Sequence, residues 1–315
     1  MTVEASLAPS AETATEGRRK SVLRNLSYWA LLPSWLLMAF ALMGPIAIVA
    51  AVSVASRGAY GGFTWDFNFA SYYRILFVEG WTGESEFNPQ YLIIILRTVV
   101  LAVAATFICL LLAVPVAYQI ARQPAGRKAL LVYLVTLPFW VSMVLRIYAW
   151  MIILGRDGPL PWFLEIFGAP SGLSLMYNDG ATLAAMVYTY MPLMVLPIFA
   201  SIEKLDTALI EAAHDLYGNR WVTLRRVILP LTAPGISAGA ILVFVPSIGA
   251  MVEPILMGGG KKMMMGSLIQ LQFGGGRNWP FGAAISMTLL IFVMIVLIIF
   301  AIRAARREGA DEIAA

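Results

Sequence analysis

The sequence predicts an all-α membrane protein with six transmembrane helices. Its 315 residues are 60% hydrophobic and 13% charged, against about 25% charged in a typical soluble domain. Six apolar stretches, residues 28–55, 91–121, 129–154, 181–202, 233–257 and 281–305, are each long enough to cross a hydrocarbon core, which takes about 20 helical residues. In that core every backbone polar group must be bonded within the chain, which favours helices. The basic residues between the stretches are distributed unevenly, as the connections of a multi-pass protein are.

Residues 1–27 are rich in Ala, Ser, Thr and Glu and end in a basic cluster; they are expected to be a disordered tail. The first apolar stretch is too long for a signal-peptide core and is expected to be retained. Loop 56–90 carries Gly, Trp and acidic residues, with a short interfacial helix expected at 69–78. Loop 155–180 is rich in Gly, Pro and aromatics. Loop 258–280 has glycine triplets at 258–260 and 274–276, without the Lys-Ser/Thr end of a phosphate cradle. Residues 28–305 then form one transmembrane domain, with a charged loop at 203–232 and a short tail at 306–315. Pro115, Pro138, Pro192, Pro197 and Pro246 interrupt the spans. They signal either ordinary bends or broken helices beside a midplane cavity.

With both termini placed in the cytoplasm, fourteen Lys and Arg residues lie inside and six outside, while Arg97 and Arg146 lie within spans. That asymmetry follows the positive-inside rule. The net charge of +4 therefore reflects topology and contact with anionic lipid, not a nucleic-acid surface. Cys109 is the only cysteine, so no internal disulfide forms, and with His214 the only histidine no zinc site of several His or Cys ligands is available.

The charged block 211–230, EAAHDLYGNRWVTLRRVILP, lies between two apolar segments. Asp206 or Thr207 caps a short helix over 207–217. Ala212 and Ala213 leave room for a partner backbone, Gly218 turns the chain into a second helix over 220–228, and Pro230 marks entry to the fifth span. Glu203, Asp206, Glu211 and Asp215, in the same loop as Arg225, give it a mixed face that argues against binding to anionic lipid. Glu211-Ala212-Ala213, followed at the right distance by Val227, Leu229 and Pro230, resembles the EAA coupling loop of ABC importer permeases. The family glycine position falls on Tyr217, with Gly218 one place later. Segments 137–160 and 258–284 are similar to the spermidine/putrescine permease branch. The resemblance implies a type I importer permease fold in the bacterial inner membrane, a second homologous permease, two ATPase subunits that bind ATP and magnesium, and a periplasmic substrate-binding protein. It implies no cofactor in this chain.

Glu253 is the one carboxylate expected well inside a span, and an intramembrane ionisable group is a functional candidate by default. Trp140, Tyr148, Trp150, Tyr188 and Tyr190 offer faces for a cation, or form ordinary interfacial belts. Arg97 and Arg146 are candidates for a structural pair with Glu253 or for a gate. The resemblance implies import of a small cationic solute, a polyamine, by alternating access. The alternatives are the same role for an organophosphonate, a modified amino acid or ferric ion, a secondary carrier, or a membrane enzyme. An enzyme would need a nucleophile with its base, paired acids or a metal cluster, and the sequence offers no such set.

Overall fold

The computed structural model describes residues 11–79, 85–168, 170, 172–215, 219–260 and 262–314. The chain divides into two compact units, one ending at Val52 and one beginning at Ser53. The described part of the first unit is helical: α1 runs Ala11–Ser53, and its portion Leu32–Ser53 is apolar enough to span a bilayer. The helix begins inside the stretch expected to be a disordered tail, where Ala, Glu, Arg and Lys are good helix formers.

The second unit opens with a short hairpin of two-residue strands, β1 (Ser56–Arg57) against β2 (Phe63–Thr64). The short helix α2 (Ala70–Leu76) follows, then β3 (Phe77–Glu79), paired antiparallel with β4 (Ser85–Phe87). The remaining elements are α3 (Gln90–Ala121), α4 (Ala125–Thr136), α5 (Met143–Leu154), α6 (Pro159–Ile166), α7 (Asp179–Glu203), α8 (Thr207–Asp215), α9 (Arg220–Thr223), α10 (Leu229–Leu231), α11 (Ala233–Ile248), α12 (Val252–Leu256), α13 (Met265–Phe273) and α14 (Trp279–Ala314).

Among the described residues four helices are long and apolar enough to span, and counting each of two bent pairs as one span gives up to six. The pairs fall at the spans expected over 129–154, where Pro138 signalled either a bend or a break, and 233–257. Ala125–Trp140 and Met143–Ile166 meet at 92°, and Trp221–Leu231 and Ala233–Ile248 meet at 72°. Pro138 lies in the 3-10 turn Leu137–Trp140 at the first break. Pro230 and Pro234 flank the second. Proline withholds an N–H and pushes the preceding turn apart. A third interruption at residues 249–251 ends α11, so that Glu253 lies on the five-residue helix α12.

The core is built where α3, α7 and α11 pack together. Ala105, Cys109, Ala113 and Ala117 recur every four residues on α3 and are fully buried. This small-residue stripe admits Met186, Tyr190, Met194 and Ile198 of α7. On α11, Gly235 and Gly239 also recur at four. A Cβ on Gly235 would lie 2.4 Å from the Ser201 Cβ, and one on Gly239 would lie 2.8 Å from the Met194 sulfur. Small residues at that spacing let membrane helices approach closely. A second cluster joins Ile75, Met265, Leu268, Phe281 and Ile285, and a third joins Ile147, Leu154, Ala181, Ala185 and Met257.

Candidate functional site

The charged loop folds as a helical hairpin. The Asp206 Oδ1 accepts from the Ala208 N–H at 2.9 Å and starts α8. Glu211, Ala212 and Asp215 are exposed on it, and Ala213 is half-buried. Gly218 lies outside the described residues. The Asn219 Oδ1 accepts from the Val222 N–H at 2.8 Å and starts α9. The second helix expected over 220–228 is α-helical only to Thr223. A π turn follows at Leu224–Ile228, where the Leu229 N–H reaches back to the Leu224 carbonyl. Arg225 and Pro230 are exposed, while Thr223 and Ile228 face inward. Trp221 adds an exposed indole to the same hairpin. α8 touches both α9 and the π turn, so the exposed charges sit on a packed element.

Glu253 is 0% exposed. α12 packs on α5 and α7, and the carboxylate there faces the Tyr190 hydroxyl and the Arg146 guanidinium. Neither of its oxygens accepts a hydrogen bond, and Arg146 Nε and Nη1 are likewise without a partner. Buried polar groups left unsatisfied are rare and call for an explanation. Tyr190 belongs to the core of α3 and α7. Trp150 and Tyr188 meet edge to face at 5.7 Å and join α5 to α7. Trp140 and Tyr148 are exposed.

Arg97 does not pair with Glu253. Its guanidinium is bonded to Asp179, the first residue of α7, whose other oxygen receives the Lys262 ammonium at 3.1 Å. Arg97 also donates to the Met263 carbonyl at 3.3 Å. Sequence reasoning missed Asp179 because it falls just outside the expected span 181–202. Its signal is the helix start, Asn178-Asp179-Gly180, where the Asn178 Oδ1 accepts from the Ala181 N–H at 2.8 Å. A second pair, Lys128 to Glu203 at 3.0 Å, joins the start of α4 to the end of α7.

A cavity of about 620 Å³ opens beside α12 and α13, with Pro254, Ile255, Gly260, Met263, Ser267 and Gln270 in its wall. The wall includes Pro254 and Ile255, the residues next to Glu253, but not Glu253 itself. Among the described residues, no group of three or more His, Cys, Asp and Glu side chains is placed to hold a metal ion.

The sequence profile of the binding-protein-dependent transport system inner membrane component family matches residues 106–308. The Escherichia coli (strain K12) spermidine/putrescine transport system permease protein PotB is 40% identical over 214 residues, covering 68% of this chain and 78% of that protein. The Haemophilus influenzae PotB is 34% identical over 272 residues, covering 86% of this chain and 91% of that one. Among solved structures, a chain of the bacterial alginate ABC transporter in complex with alginate pentasaccharide-bound periplasmic protein superposes with a TM-score of 0.70. It is 16% identical, and the match covers 89% of this chain and 94% of that one, a likeness of fold. The bent pairs, the exposed helical hairpin and these matches identify the chain as a multi-pass member of the binding-protein-dependent transport system inner membrane component family.

Proposed function

We propose that this chain is one of two permease subunits of an ATP-driven importer, and that its solute is a polyamine of the spermidine/putrescine class. The observation that carries the reading is the 34% identity to a spermidine/putrescine permease across 86% of this chain and 91% of that protein. ATP is hydrolysed by two partner subunits, and this chain carries no catalytic step. A periplasmic binding protein delivers the solute. Both termini lie in the cytoplasm, which puts the hairpin of α8 and α9 where the ATPase docks. Glu211, Ala212, Ala213, Asp215, Arg225 and Pro230 form the docking face. Glu253 meets the cation when alternating access opens the contacts around α12. Trp150, Tyr188 and Tyr190 line its approach, with Trp140 and Tyr148 beyond them and Arg146 setting the charge balance.

The test is uptake into proteoliposomes by the purified complex of this chain, the second permease, the ATPase and the binding protein. Labelled spermidine and putrescine should accumulate in an ATP-dependent manner. Uptake of an organophosphonate, a modified amino acid or ferric ion without polyamine uptake would overturn the substrate. Accumulation without ATP would overturn the importer class.

A further inference from the structure

We propose that Asp179 is an ammonium-binding site for the incoming polycation, held in this conformation by Lys262 as a built-in competitor. The inference rests on the polyamine reading above. The two carboxylate oxygens of Asp179 have unlike partners. Oδ1 is held by Arg97, whose side chain is only 17% exposed and which is further fixed by the Met263 carbonyl. Oδ2 meets the Lys262 ammonium at 3.1 Å, where the Lys262 side chain is 51% exposed and that of Asp179 is 43% exposed. The first contact is therefore structural and the second exchangeable. An exposed lysine–carboxylate pair is weak, because water solvates both partners and the long side chain must be ordered to make it. A polyamine carries the same primary ammonium, so it can take the place of Lys262 on Asp179 Oδ2.

The surroundings fit such an exchange. Residues 257–264 join α12 to α13, and within them Lys262 lies in sequence between Gly260 and Met263, which both line the 620 Å³ cavity. The segment is anchored at each end without Lys262. At its start the Tyr177 N–H donates to the Met257 carbonyl at 2.9 Å, and the Tyr177 ring packs on Gly259, where a Cβ would lie 2.6 Å from the ring. At its end the Met265 N–H donates to Thr98 Oγ1 at 2.9 Å. Releasing Lys262 thus frees one carboxylate oxygen of Asp179 and leaves both anchors in place.

The test measures binding of radiolabelled spermidine by equilibrium dialysis, using the complex with its second permease and ATPase in nanodiscs, without the binding protein. Lys262→Gln keeps the Arg97–Asp179 pair and should bind spermidine about two- to fivefold more tightly, the range that loss of a weak exposed pair allows. Asp179→Asn should lose this binding. Arg156→Gln removes another exposed cation and should leave binding unchanged. Unchanged or weaker binding in Lys262→Gln, no measurable binding in either form, or an equal gain in Arg156→Gln would overturn the inference. A purely structural Lys262 would shift the melting temperature of the variant without raising its affinity. Uptake by the wild-type complex with its binding protein is scored separately: its failure overturns the polyamine reading, whereas uptake with unaltered dialysis overturns only the role of Lys262.

Discussion

Glu253 is enclosed by protein beside Arg146 and Tyr190, and neither carboxylate oxygen has a partner in hydrogen-bond geometry. Enclosing a charged group without full pairing costs several kcal/mol, and the proposed role of Glu253 gives it a partner that arrives during the cycle. Glu253→Gln keeps the shape and removes the charge. If the carboxylate meets an ammonium in transit, the loss of a charge-assisted contact worth about 1.5–3 kcal/mol slows uptake roughly 10- to 100-fold, with assembly intact. Proteoliposome uptake together with size-exclusion chromatography of the complex checks this, and a wild-type rate would make Glu253 structural. Residue type alone made Glu253 and Arg146 visible in the sequence, because an ionisable group in an apolar run stands out. Arg97 was visible too, but its partner was not. Asp179 lies at a helix start, and only the fold brings it to a position 82 residues earlier in the chain.

The helices were legible as elements because six apolar runs of sufficient length leave little choice. Their breaks were not. Pro192 and Pro197 lie inside α7, which is among the unbroken spans, whereas Pro138 sits at a 92° break. Proline is common in both settings, and the neighbouring helices decide which one results. The contact of α11 with α7 gives a sharper prediction. Gly235→Leu forces a side chain against Ser201 and the Pro197 carbonyl and should cost about 1–3 kcal/mol, read as a lower melting temperature of the purified complex. A wild-type transition would show that the helices can separate there freely. On α8, Ala213 is half-buried between exposed Ala212 and the rest of the hairpin. Ala213→Trp blocks close approach and should lower ATPase-coupled uptake while leaving the spans folded. Full coupling with unchanged ATPase association in a pull-down would count against the docking face.

Across the whole chain, charge and exposure bear on one orientation. Fourteen cations fall on the side assigned to the cytoplasm and six on the other. Trp221, on the side of the hairpin, and Tyr60, in the loop after α1, are both well exposed. Cys109 is fully buried, so single engineered cysteines can be read against a quiet background. Tyr60→Cys should react with an impermeant maleimide on intact cells, and Trp221→Cys only after permeabilisation; the reverse pattern would invert the topology. The apolar part of α14 is largely exposed, as suits a helix that meets lipid or the second permease. Composition fixes that environment in outline, but it cannot say which apolar face meets which neighbour, because lipid tails and Leu-rich partners demand the same side chains.

The π turn at Leu224–Ile228 bears on how the chain tolerates changes of length. A π turn holds one residue more than the α turn it replaces. Deleting one residue within it lets the backbone close to regular α geometry, and the segments on either side keep their angular register. The same deletion in the middle of α3 would rotate everything beyond it by about 100° and turn the Ala105–Ala117 stripe away from α7. Single-residue deletions at 225–227 should therefore yield assembled complex when the equivalent deletions in α3 do not, and a deletion scan read by surface expression would measure the difference.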